Sequence, residues 1–162
     1  MRVLLLIFAL SANSHADTIG IDLKNPSNIR AHSIKGWKGA IGLDPWLHIH
    51  FQSDLDGMKA MRKVLTAYDR KHKLKTLRQI GWRWCGPPKS EAQRLQKEGY
   101  LRALSQYSKI KLDGHVDLKD RNIMARVARA IVIGENGRDP YPWSLYQEAF
   151  DPKRGKYHAG ND

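Results

Sequence analysis

The spacing of apolar residues changes once along this chain. Trp46-Leu47-His48-Ile49-His50-Phe51 alternates, with Leu47, Ile49 and Phe51 on one side and Trp46, His48 and His50 on the other. That is the pattern of a half-buried strand, and residues 36–42 supply its hairpin partner. From Gly57 the period lengthens to three and four. Met58, Met61, Leu65 and Tyr68 form one face of a helix that should end near Lys73. Thr76 and Gln79 make a capping box for a second helix with Leu77, Ile80 and Trp84 as its buried stripe, stopped by Pro87-Pro88. Ser90 and Gln93 repeat the signal and open a helix expected to bury Leu95, Leu101 and Leu104, with Gly99 as a weak point.

Residues 108–117 read as a loop. Asp117 or Asp120 then caps a helix whose apolar positions are Ile123, Val127, Ile131 and Val132, with Arg126 and Arg129 on its polar side. Gly134 to Gly137 end it. Pro142 suits the first position of a last short helix bearing Trp143, Tyr146 and Phe150. The pattern predicts a mainly α fold with a small N-terminal β-hairpin, an α+β class.

The first sixteen residues alter the picture of where this domain works. A charged start, the apolar stretch from Val3 to Leu10 and the small residues Ser14 and Ala16 read as a secretory signal peptide cleaved before Asp17. Eight apolar residues give only ~12 Å of helix against a hydrocarbon core of ~30 Å, so no stable membrane insertion is expected. The division is therefore 1–16 signal peptide, 17–150 single domain and 151–162 flexible tail, with the mature chain periplasmic or secreted. Cys85 is the only cysteine, so no internal disulfide forms and packing must hold the fold.

The formal charge is +12, and removal of Arg2 with the signal leaves +11. Such a balance favours a polyanionic partner. An exported chain meets little nucleic acid, so the expected partner is peptidoglycan, with its stem-peptide carboxylates. An envelope-spanning machine or an immunity protein is a further candidate partner. Arg78, Arg83, Lys73 and Lys75 form one basic cluster, read by default as a solvated face.

Candidate chemistry centres on Glu135. At the C-terminal end of a hydrophobic helix, the helix dipole opposes its ionisation, and burial behind Ile131 and Val132 would add to that. A general acid needs this property. The plainer alternative is a solvated Glu at a helix end. His48 and His50 share a strand face as two zinc ligands would, with His32 in the same third, but no cluster accompanies them and exposed histidines are the commoner outcome. Neither metal nor cofactor is expected. Cys85 with a distant His would make a thiol peptidase, though a cysteine beside Trp84 is more often packed. Trp82, out of phase with its helix stripe, is the aromatic most expected to be exposed.

A resemblance sharpens the choice. Asn25-Pro26-Ser27-Asn28-Ile29-Arg30, then Trp37-Lys38-Gly39, Phe51 and Gly57, resembles small phage and bacterial proteins with an Asn-Pro-Gly-Asn-Ile-Arg motif. Later landmarks follow in order: Arg83-Trp84 before Pro87-Pro88, Tyr100, Ala130-Ile131 before Glu135-Asn136-Gly137, and Pro140-Tyr141. Ser27 stands where that pattern has Gly, a change that bears on a turn. The resemblance implies virion-associated proteins with a lysozyme-like fold, here circularly permuted so that the N-terminal hairpin packs beside Glu135. It implies Glu135 as catalytic acid and Asn28, Arg30, Trp37, Tyr100, Asn136 and Tyr141 as substrate contacts. The reaction would be cleavage between N-acetylmuramic acid and N-acetylglucosamine. Hydrolysis needs a second carboxylate, for which Asp44 and Asp139 are the nearest choices. A lytic transglycosylase dispenses with it, because the substrate's own 6-hydroxyl attacks. A non-catalytic wall-binding or virion-type structural protein is the alternative.

Overall fold

The computed structural model describes residues 17–151; the expected signal peptide and residues 152–162 lie outside them. The described residues form six helices and one two-stranded antiparallel sheet. In chain order these are α1 (Ile19–Asp22), β1 (Ala40–Leu43), β2 (Ile49–Phe51), α2 (Asp54–Arg70), α3 (Leu77–Cys85), α4 (Glu91–Ser108), α5 (Arg121–Asn136) and α6 (Trp143–Phe150). The mainly helical α+β class read from the pattern is the class observed. None of the described helices is long and apolar enough to cross a membrane.

The centre of the molecule is α5. Asp120 rather than Asp117 caps it, accepting from the N–H groups of Asn122 and Ile123 at 2.8 and 3.1 Å. Gly137 ends it in the left-handed region at φ 70°. Met124, Ala125, Val127, Ala128, Ala130, Ile131 and Val132 are all buried. The small alanine side chains let neighbouring helices approach, and α4, α6 and α2 pack around this helix. Arg126 reaches from α5 to the carbonyls of Ser108 and Lys109, so it satisfies the free end of α4.

Several boundaries differ from the expected ones for physical reasons. α2 starts at Asp54, not Gly57, because Ser53 caps it and Asp54 and Asp56 complement its dipole. Gly57 is instead a crossing point, where a Cβ would stand 2.1 Å from the carbonyl oxygen of Lys24. The helix stops at Arg70 rather than near Lys73, whose backbone is left-handed. Leu95 was expected in the core but is 58% exposed, since the first turns of α4 project beyond the bundle while Leu101 and Leu104 enter it. Pro142 takes the N-cap position of α6, with extended ψ, and not the first helical position. Asp151 donates its N–H to Gln147 and pairs with Arg121, so it closes α6 and is not the first tail residue.

The hairpin is shorter than the alternation implied. Ile49 and Phe51 are buried, but Leu47, at φ 69°, lies in the connection and is 37% exposed. Asp44 closes that connection: its side chain accepts from the N–H groups of Trp46 (2.9 Å) and His48 (2.7 Å). β1 pairs with β2 through Ala40–Phe51, Gly42–His50 and Leu43–Ile49, with an irregularity that turns Ile41 outward.

Candidate active site

A cleft of about 640 Å³ opens between the hairpin side and the helices. Ser27, Asn28, Ile29, Arg30, Trp37 and His48 line one wall; Val64 and Tyr68 of α2, Trp84 and Cys85 of α3 and Glu135 of α5 line the other. Glu135 is the only carboxylate among these residues.

The motif at residues 25–30 holds this wall in place. Asn25 is fully buried and works as a three-way clamp: its side-chain oxygen accepts from the N–H of Ile29 at 2.9 Å, and its amide donates to the carbonyls of Ile29 (2.8 Å) and Ile49 (2.9 Å). Ile29 then enters the core, and residues 29–31 lie alongside residues 47–49. The left-handed position of the turn falls on Asn28, at φ 53°. Ser27 is therefore not the residue that needs glycine's conformational freedom. It is 1% exposed, and its hydroxyl has no hydrogen-bond partner among the described residues.

Asn28 projects its amide to Glu135, Nδ2 to Oε2 at 3.2 Å. From the opposite side the Tyr100 hydroxyl donates to Oε1 at 3.2 Å. Burial, and then the neighbouring Glu135, push the Tyr100 phenol far above its ordinary range, so it stays a proton-bearing donor. The ring reaches this position because α5 carries Gly134 there; a Cβ would lie 2.6 Å from it. Both oxygens of Glu135 are thus oriented, one by the N-terminal motif and one by α4.

Arg30 and His48 face each other across an antiparallel bridge. The flanking bonds, Ala31 N–H to Leu47 O and Ile49 N–H to Ile29 O, make them a non-hydrogen-bonded pair, the arrangement that brings side chains closest. Arg30 Nε donates to His48 Nε2 at 2.9 Å, and His48 Nδ1 lies 2.8 Å from Asp44 Oδ2. The donor on Nε2 places the imidazole proton on Nδ1, where Asp44 accepts it. Burial opposes ionisation of Asp44, but the His48 ring and amide and the Trp46 amide bring it net below the ordinary carboxylate value.

The other expected contacts divide. Trp37 lines the cleft, with the Lys63 ammonium 4.7 Å from its ring centroid; beyond it a second groove of about 500 Å³ carries Lys38, Lys59, Arg62 and Lys63. Asn136 does not line the cleft. It is buried, donates to the carbonyls of Pro26 (2.7 Å) and Val132 (2.8 Å), and accepts from Thr18, so it ties the start of the domain to the end of α5. Tyr141 also lies outside the cleft lining; burial, followed by the fields of Asp54 and Asp139, raises its phenol, which has no partner among the described residues. Asp139 is engaged by Arg129 (2.6 Å) and the Tyr146 hydroxyl (2.9 Å) and is no partner for Glu135. Asp44 reaches the cleft only through His48.

Three readings of single residues change. His48 is not an exposed strand histidine but 7% exposed, covered by residues 29–31, and among the described residues no group of three or more His, Cys, Asp or Glu is placed to hold a metal ion. Trp84 is half-buried and not fully so: it packs partly against the core and also lines the cleft, edge-on to Tyr68 at 6.1 Å. Trp82 packs partly against the core. Cys85 does line the cleft, but burial pushes its thiol up, with Glu135 adding to the effect and the Lys97 ammonium opposing it, which disfavours the thiolate a nucleophile needs. Lys97 also donates to the carbonyls of Cys85, Gly86 and Pro87, fixing this end of the wall. In the basic cluster, Arg78 pairs with Asp113 and Glu98 and Lys75 with Asp69, so these two are structural ties and not a free face. Of the cleft positions, Val64 carries no signal in the sequence beyond its helix, Tyr68 belongs to the aromatics that suit sugar stacking, and His48 has one usable signal for its place here: Asp44 four residues earlier in a proline-containing turn.

No protein-family model matches the chain, and no curated protein matches it.

Proposed function

We propose that the mature chain is an exported, periplasmic or secreted enzyme of lysozyme-like type that cleaves the glycan strand of peptidoglycan, with Glu135 as general acid and then base. One observation carries this reading: a carboxyl group at the end of α5, oriented through both oxygens by Tyr100 and Asn28, lines a cleft of about 640 Å³. The segment at residues 25–30 and α5 meet at this point through Asn28 and Glu135, which supports the reading. Trp37 and Trp84 line the cleft, and aromatic rings suit the apolar faces of pyranose units.

In this mechanism Glu135 gives its proton to the oxygen joining N-acetylmuramic acid to N-acetylglucosamine, and the bond from muramic C1 to that oxygen breaks. The Glu135 carboxylate then takes the proton of the muramic 6-hydroxyl as that oxygen closes on C1. The product is a 1,6-anhydro sugar, no water is consumed, and Glu135 regains its proton. With no second carboxylate among the cleft-lining residues, this lytic transglycosylase course is favoured over hydrolysis, which would need a partner acid at about 5 Å or 6.5–9.5 Å.

Purified protein should release soluble muropeptides ending in anhydro-muramic acid, one water lighter by mass than hydrolytic products. Glu135→Gln should lower release by about 10²- to 10⁴-fold, the usual contribution of a general acid. No release by either protein would favour a non-catalytic wall-binding or virion-type structural protein, and equal release by both would remove Glu135 as the acid.

A further inference from the structure

We infer that Arg30 is the carboxylate-binding residue of this cleft, receiving an anionic group carried on the lactyl arm of a muramic acid unit. The inference rests on the peptidoglycan reading and gives the cleft a chemical preference that the acid alone does not. An arginine has five N–H donors. In Arg30 one of them, Nε–H, is committed to His48, and the four on the terminal nitrogens have no partner among the described residues. Those four present the planar fork that matches a carboxylate.

The anchor beneath the fork is rigid. His48 is 7% exposed, its other nitrogen is held by Asp44, and Asp44 is in turn fixed by two backbone N–H groups. A side chain already oriented loses less freedom on binding. Arg30 spends Nε–H on a ring nitrogen of His48, with Asp44 on the far side of that ring, so among the described residues no carboxylate pairs directly with the guanidinium. Glu135, the only acid among the described residues that line the cleft, is engaged by Asn28 and Tyr100 and makes no ion pair with Arg30.

A muramic acid unit supplies the matching group in two ways. In peptide-free strands the lactate itself is the carboxylate; in peptide-bearing strands the lactyl group is an amide and the carboxylates belong to the stem peptide. Chito-oligosaccharides have the same backbone and neither. In the mechanism Arg30 sets which sugar sits beside Glu135, and His48 and Asp44 are positioning residues.

The test is calorimetric binding by the Glu135→Gln protein, so that cleavage does not intervene. Three ligands of equal length are compared: a chito-oligosaccharide, a peptide-free muramic-acid-containing oligosaccharide and its peptide-bearing form. At least one muramic ligand should bind about tenfold tighter than the chito-oligosaccharide, as expected for a charge-assisted pair at a partly open site, and the preference should weaken in salt. Which muramic form is preferred identifies lactate or peptide as the source. Adding Arg30→Gln should abolish the preference with the melting temperature retained. His48→Gln, which keeps an acceptor for Nε–H, should retain more of the preference than His48→Leu. Equal binding of all three ligands, or a preference that survives Arg30→Gln, overturns the inference. If the wild-type protein releases no muropeptides while the Arg30-dependent preference persists, the enzyme reading fails and the carboxylate site stands; cleavage without preference has the opposite meaning.

Discussion

The two walls of the cleft are held by different forces. On the helical side, Val64, Tyr68, Trp84 and Glu135 are carried by α2, α3 and α5, whose buried faces include Met58, Met61, Leu65, Ile80, Val127 and Ile131. On the other side, residues 25–51 contribute Ile29, Ile49 and Phe51 to the core, with Ala31, Trp37, Ala40 and Leu43 packed partly against it, and are held besides by buried hydrogen bonds from Asn25 and Asn136 and half-buried ones from Asp44. Apolar packing depends on volume and tolerates similar shapes. A hydrogen bond depends on direction, and its loss leaves a buried polar group unpaired. Glu135 stands at the seam, with one oxygen fixed by a residue from each side.

The contrast predicts its largest effect at Asn25. Asn25→Ala removes three hydrogen bonds and leaves buried backbone groups of Ile29 and Ile49 short of partners, so urea unfolding should show a loss of about 3 kcal/mol. In the fully buried bundle position Ile131, Ile131→Val should cost only about 1 kcal/mol. Similar costs for the two variants would mean that the polar wall is not held by its hydrogen bonds.

The same contrast explains what could be read from the sequence. α2, α3 and α5 announced themselves because their buried residues recur at the helical period, and the capping box of Thr76 with Gln79 marked the start of α3, whereas the pattern placed the start of α2 three residues late and left that of α5 between Asp117 and Asp120. Periodicity reports which side of a helix is apolar but not whether another element covers it, which is why Leu95 was misplaced. His48 was misjudged for the converse reason: its cover comes from residues 29–31, a partner segment that no local pattern reveals. Glu135 and Asn28 were linked by a motif and by a helix end, whereas the engagement of Asn136 with Pro26 depends on how distant segments meet. That information lies in hydrogen-bond geometry, not in hydrophobic spacing.

A second, smaller effect is expected at the seam. Gly134→Ala sets a methyl group where the Tyr100 ring now packs, so either the ring or α5 must move. Overpacking of this kind costs about 1–3 kcal/mol. Displacement of Tyr100 would also release Oε1 of Glu135, so muropeptide release should fall more than in Ile131→Val, even at a temperature where both proteins are folded. Equal activity in the two variants would mean that Tyr100 does not orient the acid.

Ser27 tests the polar wall in the stabilising direction. Its hydroxyl is buried and unpartnered among the described residues, and its φ is not in the left-handed region. Ser27→Ala keeps the backbone and removes the unsatisfied group, so stability should rise by about 1 kcal/mol in urea unfolding. A loss of similar size would show that the hydroxyl has a partner in solution.

The smallest effect belongs to the one strongly buried carboxylate of α2. The Asp69 carboxylate accepts from Lys75 at 2.8 Å, and that hydrogen bond, opposed by burial and aided by Lys75, Lys119 and Lys73, holds its pKa below the ordinary value. A depressed carboxylate pKa contributes stability that is fully present above the unfolded value, about 3.9, and is lost as pH falls through the folded value beneath it. Lys75 is 46% exposed, so solvent and salt screen the pair and keep its contribution modest. The difference in unfolding free energy between wild type and Asp69→Asn should therefore be constant from pH 7 to about pH 5, then shrink as Asp69 protonates and comes to resemble the amide. The clamp at Asn25 has no titrating group, so the cost of Asn25→Ala should keep its size through the same range. A difference for Asp69→Asn that stayed constant to pH 2 would mean that the Lys75 pair adds nothing to the fold, and that α2 relies on apolar packing alone.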